Sequence, residues 1–176
     1  MEPADATPAP GPALGDEAAA RLTARCHGTD PRALAVAAIR ETFEETGLLI
    51  ARPTETPNAA TAIASGRFWR ACQAARVAPD LGALAYIARA ITPASYPKRF
   101  NARFFLTTRV PENDALIGDG ELVDLRWVSL ADPGDLAIAG VTAFVLDRAR
   151  TYLRGQAPVR VPVLCHVGGR QRLLAD

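Results

Sequence analysis

Glu41, Glu44 and Glu45 fall close together in the chain. On a helix of 3.6 residues per turn, positions i, i+3 and i+4 share a face, so the three carboxylates project as one cluster. Like charges this close repel. The cluster is most useful where a hard divalent cation stands in front of it and inverts the local electrostatics. That is the outline of a Mg²⁺ site, with Mn²⁺ as the alternative ion. The plainer use of the same residues is a solvated, charged helix face closed by a glycine.

A helix must hold these groups, and the flanking sequence supplies its ends. Asp30 is a good N-cap. Pro31 suits the first helical position because its missing N–H would be unpaired there anyway, and Gly47 can take the left-handed position beyond the last turn. The helix is therefore expected over residues 31–46. Leu34, Ala35, Ala38, Ile39, Thr42 and Phe43 give it an apolar stripe that can press against a sheet. The glutamates lie beside that stripe in the C-terminal half, where the helix macrodipole disfavours anions, so something cationic must offset the placement. Arg40, four residues before Glu44, supplies part of this through an i, i+4 ion pair.

The remaining elements are set by periodicity and turn chemistry. Residues 1–15 are rich in Pro and Ala without periodicity and are expected to form a mobile arm, with a single domain over 16–176. A short helix is expected over 16–24, a strand over 48–51 and a turn region over 53–56. A helix over 58–76 comes next, in which Ile63, Phe68, Trp69 and Cys72 recur at helical spacing. Residues 79–81 lead into a strand over 84–91.

Residues 98–110 predict a stronger strand, with Phe100, Ala102, Phe104 and Leu106 on one face and Arg99, Asn101, Arg103 and Phe105 on the other. Arg99 and Arg103 are candidate substrate-binding residues, because a planar guanidinium donates in pairs to phosphate oxygens and stays charged. Solvation, or pairing with carboxylates of neighbouring strands, is the equal alternative for both. Asp119-Gly120 marks a turn before a strand over 121–129, and residues 130–136 form a loop. An amphipathic helix is expected over 141–154, its Arg148, Arg150 and Arg154 serving as a solvated face and dipole partners. Strands over 159–167 and 170–174 flank Gly168-Gly169, a two-residue hairpin signal. This hairpin is either a sheet edge or a homodimer contact. The fold class is α/β, a mixed sheet between helices.

Composition bounds the rest. A chain of 176 residues with 49% hydrophobic and 22% charged residues is that of an ordinary globular domain with a sizeable core. A net charge of +1 offers no general attraction for nucleic acid, and no basic run is interleaved with aromatics. No apolar run reaches the length of a membrane span and the first twenty residues lack the pattern of a signal peptide, so a cytoplasmic location is expected. Cys26, Cys72 and Cys165 are odd in number and widely spaced, which reads as free thiols. The pairs Cys26-His27 and Cys165-His166 lack zinc-finger spacing, and neighbours on a strand point to opposite faces, so zinc is disfavoured. Lys98 is the only lysine beside many arginines, a bias that with abundant Ala, Pro and Gly points to a GC-rich bacterial genome.

The run Arg40-Glu41, Glu44-Glu45, Gly47-Leu48 resembles the second half of the Nudix box, the signature of the Nudix hydrolase superfamily. With usage of roughly 6% per residue type, five fixed residues coincide at a given start about once in a million. The first half of the box departs from the pattern: Arg32 stands where a Glu is usual, Cys26 where a Gly is usual, and Thr42 is polar where an aliphatic residue is usual. One branch of the superfamily carries an insertion within the box and includes the peroxisomal coenzyme A diphosphatases and bacterial relatives. Residues 37–45, Ile91-Thr92-Pro93 leading to 98–105, Asp119-Gly120-Glu121 and Arg126-Trp127 are similar to that branch, so the likeness spans most of 30–153. Residues 1–5 resemble the segment immediately after the branch's Pro-Gly-Gly turn, so the chain is expected to begin inside the motif and to lack its N-terminal strands.

The resemblance implies an α/β/α sandwich and Mg²⁺-dependent hydrolysis of a diphosphate linkage in a nucleoside diphosphate derivative. Coenzyme A or an acyl derivative is the best single substrate, with ADP-ribose and dinucleotides open. It implies Glu44 and Glu45 as metal ligands, Glu41 as ligand or base, Arg40 as the residue that orients them, and Glu121 as a candidate assistant. The contrary expectation, from a different class, is a Nudix-derived module that binds a partner or ligand without turnover, or a fragment of a longer enzyme.

Overall fold

The computed structural model describes residues 19–20, 22, 30–55, 66–93, 95–109, 120–156, 158–168 and 170–175. The expected arm over 1–15, Cys26, His27 and the first part of the helix expected over 58–76 lie outside the described residues. Ala19, Ala20 and Leu22 are helical, inside the short helix expected over 16–24. The chain divides into two compact units, Met1–Leu84 with Thr107–Arg126, and Ala85–Leu106 with Trp127–Asp176.

In the first unit, helix α1 spans Pro31–Thr46, as its end signals dictate. The Asp30 carboxylate accepts from the Arg32 amide at 2.8 Å, and Gly47, at φ +81°, donates its N–H to the Phe43 carbonyl at 2.8 Å. The buried line is Ala33, Ala35, Val36, Ile39, Arg40 and Phe43, turned by about one position from the stripe read from sequence. Alanine and aliphatic residues surround much of the helix between 33 and 39, so its pattern leaves that rotation open. Helix α2 (Arg67–Ala75) begins after Gly66 and ends on Arg76, at φ +51°. Its Phe68, Trp69 and Cys72 are buried. The Phe68 ring lies 6.0 Å from that of Phe43 and 4.8 Å, edge-on, from Trp69.

Strands β1 (Ala51–Pro53) and β2 (Val77–Pro79) form an antiparallel ribbon in which Ala51 faces Pro79. Bonds from the Thr54 amide to the Arg76 carbonyl and from the Asp80 amide to the Ile50 carbonyl extend it at both ends. The strand expected over 48–51 is therefore displaced: residues 47–50 are used up leaving α1, and pairing begins where Pro79 stands opposite. A 3₁₀ turn, Leu81–Ala83, comes next. The buried Asp80 carboxylate is matched by Arg109 at 3.1 Å, which ties the returning segment to this unit.

The second unit holds a four-stranded mixed sheet in the order β4-β3-β5-β6, from β3 (Ala85–Ile91), β4 (Asn101–Leu106), β5 (Pro162–Val167) and β6 (Arg170–Ala175). β3 pairs antiparallel with β4 and parallel with β5, and β5 pairs antiparallel with β6. Helix α3 (Gly140–Leu153) covers β3. A bulge between Tyr86 and Ala88 places one extra residue in β3, so the successive residues Ile87 and Ala88 both join Ala149 in the core, flanked by Phe104, Leu106, Phe144 and Val145. The Arg150 guanidinium donates to the Leu130 carbonyl at 2.7 Å and so fastens α3 to the preceding loop. The fold class is thus α/β with a mixed sheet.

Two expectations are corrected here. Residues 121–129 are irregular and not a strand: Asp124 sits at φ +56°, which breaks an extended run, and no strand of either sheet takes them as a neighbour. The strand expected over 98–110 is shorter. Lys98, Arg99 and Phe100 lie in the exposed β3–β4 connection, where the Phe100 amide and carbonyl both bond to Thr92. Among the described residues, no helix is long and apolar enough to cross a membrane.

Candidate functional site

Arg40 is the centre of the carboxylate helix. Its side chain is 4% exposed, and a guanidinium that cannot shed its proton must be paired where water is excluded. One terminal nitrogen reaches Glu44 Oε2 at 2.6 Å, the other Glu41 Oε1 at 2.7 Å. The i, i+4 pair expected from sequence is present, and the adjacent Glu41 is drawn to the same group. Glu44 is 24% exposed and Glu41 54%, so the buried cation is bridged to one mostly buried and one half-exposed carboxylate. Glu45 lies on the same turn, partly buried.

The cationic offset demanded by the helix macrodipole comes from a residue that sequence reasoning missed. No basic residue occupies the last turn of α1 itself. Arg67, at the start of α2, brings Nη1 to 3.4 Å from the Glu44 carbonyl and stacks its guanidinium 5.1 Å from the centre of the Phe43 ring. One of the carbonyls left open at a helix C-terminus thus gains a charged donor. The signal available in the sequence was the unmet charge on α1; nothing local pointed to a partner 23 residues away.

Thr42, on the packed side of α1 beside Phe43, donates its hydroxyl to the Ala38 carbonyl at 2.8 Å. Thr46 makes the same back-bond to Thr42 and receives the Leu48 amide at 3.2 Å. Both hydroxyls are satisfied by the helix's own backbone, so Thr42 costs the packed face no orphaned polar group.

Among the described residues, no three His, Cys, Asp or Glu side chains come together to hold a metal ion. Glu41 and Glu44 each spend one oxygen on Arg40, and their second oxygens, Glu41 Oε2 and Glu44 Oε1, meet no protein donor among the described residues. The donor type suits a hard cation, since Mg²⁺ is commonly bound by one or two carboxylates with water and phosphate filling the remaining positions.

The other predicted residues fall elsewhere. Arg103 lies on β4 directly opposite Arg89 of β3, and its Nη1 donates to the Asn101 carbonyl at 3.3 Å. Arg89 is buried and donates from Nε to the Asn101 side chain at 2.7 Å. Arg99 is exposed in the β3–β4 connection, not on the strand face it was expected to share with Arg103. Both candidate arginines belong to the second unit, and the three glutamates to the first. Glu121 is exposed in the irregular segment. Cys72 and Cys165 are free thiols, as read from their spacing; the structure adds that both are buried, and burial pushes the Cys72 thiol up to about 12, which makes it inert. Cys165 is buried while His166 is exposed, the alternation that argued against a shared zinc.

Compared with known proteins, the chain matches no family model, no curated protein and no solved structure.

Proposed function

We propose that this chain is a Nudix-type hydrolase that cleaves a diphosphate linkage in a nucleoside diphosphate derivative, with Mg²⁺, or Mn²⁺ in its place, held by the α1 glutamates. The observation that carries the reading is the buried Arg40 bridging Glu41 and Glu44 at 2.7 and 2.6 Å. A solvated surface helix has no need to bury an arginine beneath its acidic face. An arginine that fixes the rotamers of two glutamates supports a role for those two carboxylates beyond solvation, with Glu45 on the same turn to be drawn in by an ion.

Glu44 and Glu45 are the residues that would hold the ion, and Glu41 would ligate or accept a proton from water. Mg²⁺, when bound, supplies the positive charge that polarises a diphosphate and lowers the pKa of a coordinated water. Arg40 orients the glutamates and keeps their repulsion in check. Arg67 anchors the last turn of α1, which carries Glu44 and Glu45. Coenzyme A or an acyl-coenzyme A is the substrate to try first, on the strength of the sequence resemblance and nothing else.

The test is phosphate release, after phosphatase treatment of the products, from a panel of coenzyme A, ADP-ribose and dinucleotides with Mg²⁺ or with chelator. Turnover that needs Mg²⁺ and falls at least about 100-fold in Glu44→Gln and in Glu45→Gln is expected. No turnover on any member, or variants equal to the parent, would leave the binding module as the surviving reading.

A further inference from the structure

The net charge of +1 averages two unlike units. The unit of Ala85–Leu106 and Trp127–Asp176 carries ten Lys and Arg against four Asp, and the other unit ten against fifteen acidic residues. Within the basic unit, the β3–β4 hairpin has charge of one sign only: residues 85–106 include Arg89, Lys98, Arg99 and Arg103 and neither Asp nor Glu. A division of this size gives the basic unit an attraction for polyanions that the net charge conceals.

The tip of that hairpin adds aromatic surface. All six residues 95–100 are exposed, Tyr96 at 60% and Phe100 at 62%. Alternation along β4 assigns Phe100 to the packed face with Ala102 and Phe104, but the strand begins only at Asn101 and the ring turns outward. The tip is nonetheless braced. The Thr92 amide donates to the Phe100 carbonyl at 2.9 Å, the Thr92 hydroxyl accepts from the Phe100 amide at 3.1 Å, and the Tyr96 amide donates to the Pro93 carbonyl at 3.1 Å. Pro93 and Pro97 fix φ on either side of Tyr96, so the backbone under the rings has little freedom left to lose on binding. Lys98 and Arg99 stand between the two rings in the chain, and among the described residues no carboxylate pairs with either.

We propose that this tip binds single-stranded nucleic acid, with Tyr96 and Phe100 stacking on bases and Lys98 and Arg99 pairing with the phosphates between them. The order ring, cation, cation, ring matches a strand in which unpaired bases alternate with phosphates. A duplex keeps its bases stacked inside and offers the rings nothing to stack on. A free nucleotide is held in a concave pocket that buries most of it, whereas every residue of this tip lies open. A bilayer that took in both rings would draw Lys98 and Arg99 towards the apolar layer, where charge is expensive. The site is made by one hairpin and stands whether or not α1 hydrolyses a diphosphate.

Fluorescence anisotropy of a short labelled oligouridylate, titrated with the full chain, tests it; chelator keeps any metal at α1 out of the result. The parent is expected to bind at low salt and to lose affinity as salt rises. Each phosphate contact contributes roughly 0.7 to the logarithmic salt slope, so the Lys98→Ala, Arg99→Ala double variant is expected to flatten it by about 1.4. Tyr96→Ala and Phe100→Ala are each expected to weaken binding by about 5- to 100-fold with unchanged circular dichroism spectra, and Phe100→Trp to retain it. If Phe100→Ala fails to fold, Phe100→Leu keeps an apolar side chain while removing the stacking surface. No binding at low salt, folded ring variants that bind like the parent, or duplex RNA bound as tightly as the single strand would each overturn the proposal. So would displacement by AMP at the same phosphate concentration as effective as that by unlabelled oligonucleotide, or binding to phosphatidylserine vesicles with none to the oligonucleotide.

Discussion

Arg40 keeps its charge at 4% exposure because two carboxylates take up its terminal nitrogens, and those carboxylates tolerate one another because Arg40 lies between them. Neither half is stable alone. Arg40→Leu keeps most of the buried volume but leaves Glu41, Glu44 and Glu45 repelling one another towards the C-terminal end of a helix. Breaking a fully buried pair is strongly destabilising, but Glu41 is half exposed, so a loss of about 1–3 kcal/mol is expected in urea unfolding. Arg40→Lys recovers little of it, because one ammonium lacks the fork that reaches two acceptors. Arg40→Leu combined with Glu44→Gln should recover part, since one of the uncompensated charges is gone; strict additivity in that double variant would show that the two residues do not act as a unit. The Arg40–Glu44 pair was legible in the sequence because helix geometry alone sets i beside i+4. Arg67 was not, because its approach to Glu44 depends on how α2 packs on α1, and no local rule encodes that.

Elements with chemically marked ends were read to the residue, and those without were not. Asp30, Pro31 and Gly47 fix α1 from Pro31 to Thr46 through an N-cap, a tolerated proline and a left-handed exit. By contrast, the alternation in 121–129 resembles a strand, yet a strand exists only where a neighbour offers its ladder, and that information is tertiary. β2 is three residues long, too short to show any period. The two left-handed helix exits give opposite predictions. Gly47→Ala forces a Cβ into φ +81° and is expected to cost about 1 kcal/mol. Arg76→Gly relieves a non-glycine residue at φ +51°, and after the added freedom of the unfolded chain a gain of about 0.5 kcal/mol is expected. Chemical denaturation of both variants checks the pair, and equal signs would mean that one exit is held by something other than backbone conformation.

At the scale of the molecule, the proposed ion site lies on one helix of one unit, so binding there must appear as added stability of the folded chain. An ion that binds only the native state stabilises it by about 2.7 kcal/mol at a hundredfold excess over its dissociation constant. For a chain of this size each kcal/mol moves the thermal midpoint by about 2–4 °C, so saturating Mg²⁺ is expected to raise it by about 5–10 °C over a chelator control. General screening of the acidic face would also raise it, and the two causes separate cleanly. Binding needs the oxygens of Glu44 and Glu45, so the rise should vanish in the Glu44→Gln, Glu45→Gln double variant. Screening needs only ionic strength, so KCl at matched strength would reproduce it in the parent. A rise produced equally by KCl, or retained in the double variant, would mean that Arg40 alone neutralises the cluster and that α1 holds no metal. Loss of the rise in the double variant, with KCl inert, would tie the ion to the carboxylates independently of any substrate.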